Sequence, residues 1–138
     1  MPIHAHTKHR FRQGFKKRNF VNHKSHNALQ SPHMLLKGKA PLVIGMDSFC
    51  EGVHFLQEWF SPYTLAYKAF LVNYSDIIAM NATAAYAMLS IALPRKWGKS
   101  EIKECVQGIS DFCKKFNIFL IGGDTISSQT LAFHITLC

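Results

Sequence analysis

No acidic residue occurs before Asp47, although the same 46 residues carry nine basic ones: Lys8, Arg10, Arg12, Lys16, Lys17, Arg18, Lys24, Lys37 and Lys39. The remaining 92 residues hold seven basic residues and all eight acids, a net of −1. The overall +8 is therefore the property of one segment, and two differently composed stretches are joined near residue 40. Cysteine is sparse and scattered: Cys50, Cys105, Cys113 and Cys138 form no C-x-x-C pair. This argues against a zinc ribbon or a disulfide scaffold and for free thiols in a reducing compartment. The N-terminus lacks the apolar stretch of a secretory leader, and it has no amphipathic helical period to suit a transit peptide. The longest uncharged run, Ile77 to Pro94, reaches 18 residues, but Asn81, Thr83, Ser90 and many alanines interrupt it. It reads as a buried helix followed by a buried strand, and the expectation is a soluble, cytoplasmic protein with no membrane partner. A Walker lysine motif and G-x-G-x-x-G are both missing, so the common nucleotide folds find no support.

With 138 residues, 48% apolar and 17% charged, the chain can build a single core. Residues 1–39 form a basic, His-rich segment (His4, His6, His9, His23, His26, His33) without a sustained period of 2 or 3.6. The histidine spacings match no metal cluster. Beyond Gly38 and Pro41, Leu42-Val43-Ile44-Gly45-Met46 reads as a buried strand ending at Asp47. Ser61-Pro62 is a helix start, and the stripe Leu65, Ala69, Val72, Asp76, Met80 continues it. Ala84 to Leu93 reads as a strand closed by Pro94. Ser100, Glu101 and Glu104 open a second helix with the stripe Ile102, Val106, Ile109, Cys113, Phe116, closed by Asn117. Ile118 to Ile121 is a strand running into Gly122-Gly123-Asp124-Thr125, and Leu131, Phe133, Ile135 and Leu137 alternate as a last strand. Strands alternating with helices predict an α/β or α+β fold, a mixed sheet layered with helices.

Asp76 falls in a stripe that the helix period assigns to the core. A buried carboxylate must be neutral, paired or metal-bound, with Ser75, Asn73 or Lys68 as the nearest structural partners. Asp47 and Asp124 each follow a short apolar strand, which puts both at C-terminal strand ends, where ligands of open α/β sheets gather. Three carboxylates meeting there would suit Mg²⁺ and a phosphate chain. Taken singly, an aspartate after a strand is a turn former, and Gly122-Gly123 is a tight turn or a close approach to phosphate. His54 reads as a packed histidine or a phosphate ligand.

The stretch Asp47-Ser48-Phe49-Cys50-Glu51-Gly52-Val53-His54-Phe55 resembles the thiamine-monophosphate kinases, within the wider family of aminoimidazole ribonucleotide synthetase-like ATP-binding proteins. Ala66-Tyr67-Lys68-Ala69 with Leu71 to Ala82 is similar to that family's long helix, Leu89 to Pro94 to its next strand, and Gly122-Gly123-Asp124-Thr125 to its nucleotide motif. The resemblance covers residues 42–138. It implies an amino-terminal ATP/Mg-binding domain over residues 40–138 and an ATP-dependent kinase that converts thiamine monophosphate to thiamine diphosphate. It further implies Mg²⁺ on Asp47, Asp76 and Asp124, ATP on Gly123 and Asp124, the substrate phosphate at His54, and a homodimer formed through the sheet. Three departures stand out. Ser25-His26-Asn27-Ala28 occupies the place of an Asp-Asp pair, Met46 replaces a common Thr, and the family's carboxy-terminal domain is expected to be absent. Two alternatives accompany this reading: a catalytically inactive dimeric remnant, and a nucleic-acid binder using the basic arm with Phe11, Phe15 and Phe20. Nucleic acid is set aside as the weaker partner.

Overall fold

Residues 33–36 and 42–138 are described by a computed structural model, the first four by their backbone alone. The alternating segment near the C-terminus becomes the middle of the sheet. Strand β5 (Ala132–Leu137) buries Phe133, Ile135 and Leu137 on one face. It is flanked on one side by β2 (Leu42–Cys50) and on the other by β3 (Tyr86–Pro94). β1 (His33–Leu36) pairs outside β2, and β4 (Phe119–Ser128) outside β3, giving the order β1-β2-β5-β3-β4. All neighbours are antiparallel except β3 and β4. That parallel pair needs a crossover, which α2 (Lys99–Phe116) supplies. Helix α1 (Pro62–Ala79) crosses from β2 to β3 and packs on β2, β5 and α2. The expected mixed sheet layered with helices is the architecture found.

Local chemistry accounts for the helix ends. The Ser61 hydroxyl accepts from the Thr64 amide at 3.2 Å, with Pro62 in the first turn. α2 begins one residue earlier than Ser100 suggested: Gly98 is its cap, and the Gly98 amide donates to the Glu101 carboxylate at 2.9 Å. Asn117 ends that helix in the left-handed conformation.

Both helices present a different face from the expected stripes. On α1 the buried side chains are Leu65, Ala66, Ala69, Phe70, Asn73 and Ile77, whereas Val72 and Met80 are exposed and Asp76 is half-buried. On α2 the core face is Cys105, Gly108, Ile109 and Phe112, with Val106 exposed. The reason is helix–helix packing. A Cβ on Gly108 would stand 2.3 Å from the Tyr63 carbonyl oxygen, so the two backbones nearly touch at that point and α2 turns accordingly. Phe70 and Phe112 then meet at 5.5 Å between ring centroids.

One boundary also differs. The sheet begins at His33, inside the segment set apart by its charge, because a four-residue strand is too short to show a period. Residues 1–32 and 37–41, with Ser25 to Ala28 and the other histidines, lie outside the described residues. None of the four cysteines is in a disulfide, and burial pushes the Cys105 thiol up to about 12. No described helix is long and apolar enough to cross a membrane.

Candidate functional site: a carboxylate pair and a glycine-rich strand

Asp47 is not at the end of its strand. Ser48, Phe49 and Cys50 continue β2 and pair with His134, Phe133 and Ala132 of β5. Along β2 the side chains alternate, so Gly45, Asp47 and Phe49 turn toward the helices while Met46 and Ser48 are exposed. Asp47 thereby meets α1, where its carboxyl shares a hydrogen bond with that of Asp76. In this position Asp47 keeps its proton more readily. Burial raises the Asp47 pKa first, then the charge of Asp76 and the shared hydrogen bond; a backbone bond at Ser48 and the nearby His54 oppose the rise.

Each structural partner expected for Asp76 also has another contact of its own. Asn73 donates to the Ile135 carbonyl at 2.7 Å, Ser75 to the Val72 carbonyl at 2.6 Å, and the Lys68 ammonium sits 4.8 Å above the Phe60 ring.

His54 is exposed rather than packed in the core. It lies in a tight turn after β2, where its Nδ1 accepts from the Cys50 amide at 3.0 Å. In the neutral ring that bond places the proton on Nε2, leaving a donor for an anion. The turn itself is braced by Glu51, whose carboxylate accepts from the Leu131 amide at 2.8 Å and from Gln57. Gln57 in turn accepts from the Trp97 indole at 2.9 Å. Sequence reasoning treated Glu51 only as part of a motif. Its position at the start of a turn, ahead of a glycine, was the available signal. Glu51→Ala leaves the Leu131 amide without this acceptor, and about 1–3 kcal/mol of stability is expected to be lost in urea unfolding.

Asp124 does not join the pair. It too lies inside a strand, since β4 runs on to Ser128. Following the register, Asp47 faces Ile135, Ile135 faces Leu89, and Leu89 faces Gly123. Three strand steps of about 4.8 Å put Asp47 and Gly123 roughly 14 Å apart in one cross-strand row. Among the described residues no group of three His, Cys, Asp or Glu side chains forms a metal cluster. The expected convergence of three carboxylates on one ion therefore reduces to a pair at one end of a row and Asp124 near the other.

At that other end Gly122, Gly123, Asp124 and Thr125 line a concavity of about 630 Å³ with Leu89 and Ile91. The Asp124 carboxylate accepts from the Thr125 amide at 2.8 Å. Gly123 has φ +156°, and a Cβ there would fall 1.8 Å from the Leu89 carbonyl oxygen. This residue must be glycine for β4 to lie against β3.

A mixed sheet with one helical layer, an acid pair bridging β2 and α1 and a Gly-Gly-Asp edge strand defines an α+β domain class. The family description "AIR synthase related protein, N-terminal domain" matches residues 30–138, and the chain belongs to that family. It is 41% identical over 86 residues to the thiamine-monophosphate kinase of Bacillus subtilis, an alignment spanning 62% of this chain and 26% of that protein. The crystal structure of thiamine monophosphate kinase from Aquifex aeolicus superposes with a TM-score of 0.69 at 25% identity, over 80% of this chain and 36% of that one. AaThiL complexed with AMPPCP and TMP gives a TM-score of 0.72 at 26% identity, over 78% and 35%. The chain thus spans about a quarter to a third of the proteins it matches.

Proposed function

We propose that this chain is the magnesium- and ATP-binding portion of a cytoplasmic kinase acting on thiamine monophosphate. The observation that carries the reading is the Asp47–Asp76 pair, brought together where β2 meets α1. Hard oxygen donors with surplus negative charge are the set Mg²⁺ takes, so the residues fit the ion. When bound, Mg²⁺ supplies charge neutralisation for phosphoryl transfer. Asp47 and Asp76 would hold it, and Asp124 would serve the nucleotide end of the row together with the Gly123 backbone. The Nε2 donor of His54 suits the phosphate of the acceptor substrate, since the ring lies close enough to Asp47 to act on its charge. Transfer of this kind requires positioning and charge compensation rather than a covalent enzyme intermediate. The kinship with thiamine-monophosphate kinases, and the ligands named for AaThiL, support this choice of substrates.

The helix-free face of the sheet exposes Met46 and Met88, and a homodimer formed through that face would cover them. The separate basic segment would end at the start of β1, at His33, rather than at residue 39. Calorimetry with AMPPCP and Mg²⁺ tests the assignment: Asp124→Asn is expected to weaken binding at least tenfold, and equal heats from both proteins would remove Asp124 from the site. A turnover assay with ATP and thiamine monophosphate then separates a competent kinase from a portion that binds but does not transfer.

A further inference from the structure

We infer that Asn73 is a positioning residue for the carboxylate pair: by tying α1 to β5 it holds Asp76 against Asp47. This rests on the metal reading above. Asn73 is the one polar side chain among the described residues that is fully buried, at 2% exposure. Its Nδ2 donates to the carbonyl oxygen of Ile135 at 2.7 Å, and Ile135 is the cross-strand partner of Asp47. Asp76 follows three residues later, one turn along the same helix side. A single bond therefore sets the height of the helix against the very row that carries Asp47.

The Ser61, Thr64 and Ser75 side chains bond within the helix and its cap, and Tyr63 reaches across to Asp111 of α2. Besides Asn73 and the Asp47–Asp76 pair, the buried face of α1 is apolar (Leu65, Ala66, Ala69, Phe70, Ile77), and apolar contacts are non-directional and let a helix slide or roll. Gly45, two residues before Asp47, makes the close approach possible: a Cβ there would stand 3.2 Å from the Ile77 Cδ1 and 3.7 Å from the Asn73 Oδ1.

Asn73→Leu keeps the volume and removes the bond. The geometric test introduces Asp47→Cys with Asp76→Cys, in a Cys50→Ser background, and times disulfide closure by oxidised glutathione. Closure is expected to be at least tenfold slower with Asn73→Leu than with Asn73, and equal rates would overturn the inference. In the chain with both aspartates intact, Asn73→Leu is expected to bind Mn²⁺ at least tenfold more weakly while its far-ultraviolet circular dichroism is unchanged. Undiminished Mn²⁺ affinity would equally overturn it. Should Asn73→Leu not fold, Gly45→Ala, whose Cβ would crowd the Ile77 side chain and stand 3.7 Å from the Asn73 Oδ1, takes the same two readings with the same expected direction. A parent chain that ignores Mn²⁺ would defeat the metal reading alone, because the cross-linking rates still decide the positioning role.

Discussion

Gly123→Ala is expected to lower the melting temperature by about 10 °C, and Gly122→Ala to leave it nearly unchanged. The two glycines are adjacent on the same edge strand, yet their surroundings are opposite. A Cβ at Gly123 would overlap the Leu89 carbonyl oxygen at 1.8 Å, and φ +156° is a region that L side chains avoid. At Gly122 nothing lies within 4 Å. Forcing β4 away from β3 combines overpacking with backbone strain, together about 3 kcal/mol or more. For a chain of this size each kcal/mol moves the midpoint by roughly 3 °C. Thermal melts of the two variants side by side check the contrast, and equal midpoints would refute the close approach of the strands. Because Gly123 also lines the concavity beside Asp124, its variant should lose AMPPCP binding in parallel.

Asp47→Asn should have opposite effects with and without magnesium. The Asp47 pKa lies above its ordinary 3.8 in the folded chain, so the folded state holds that proton more tightly than the unfolded one. The stabilisation this brings is complete below 3.8 and is lost as pH rises through the raised value. Once Asp47 ionises, its partly buried charge beside Asp76 opposes folding. The metal-free Asp47→Asn protein should therefore melt above the parent at pH 7, with the gap closing as the pH falls toward 4 and below. Added Mg²⁺ reverses the order, since at about a hundred times its Kd a ligand stabilises its site by about 2.7 kcal/mol and the variant has lost half the donor pair. Melting curves at both pH values, with and without Mg²⁺, provide the check. An identical response of parent and variant to Mg²⁺ would show that Asp47 is not a ligand.

The elements and their order were legible because strands of β-branched and aromatic residues alternate with capped helical stretches. Ser61-Pro62 marked the first helix, and Phe133, Ile135 and Leu137 marked the inward face of β5. What sequence period could not reveal was how each helix rolls. The row Leu65, Ala69, Asn73, Ile77 is spaced by four as regularly as the stripe through Asp76, and only the near contact of Gly108 with Tyr63 decides between them. Taking Asp47 and Asp124 as strand ends failed for a related reason. A polar residue after an apolar run is a turn signal only when the next residues do not pair, and Phe49 and Thr125 both pair. Asn73 entered the sequence reading only as a possible partner of Asp76, because the carbonyl it bonds on β5 lies 62 residues away.

The position of β5 has a consequence for synthesis on the ribosome. It is the last strand to emerge among the described residues, yet it sits between β2 and β3. Until it is translated, the nascent chain holds two unjoined halves, one ending in an unclosed β2 and the other a parallel β3–β4 unit with no antiparallel neighbour. At about 5–20 residues per second, the 81 residues from the end of β2 to the start of β5 keep the first half waiting for several seconds. Pairings this distant form late in any case, so during that interval the β2 edge needs a chaperone or the growing α1 to shield it.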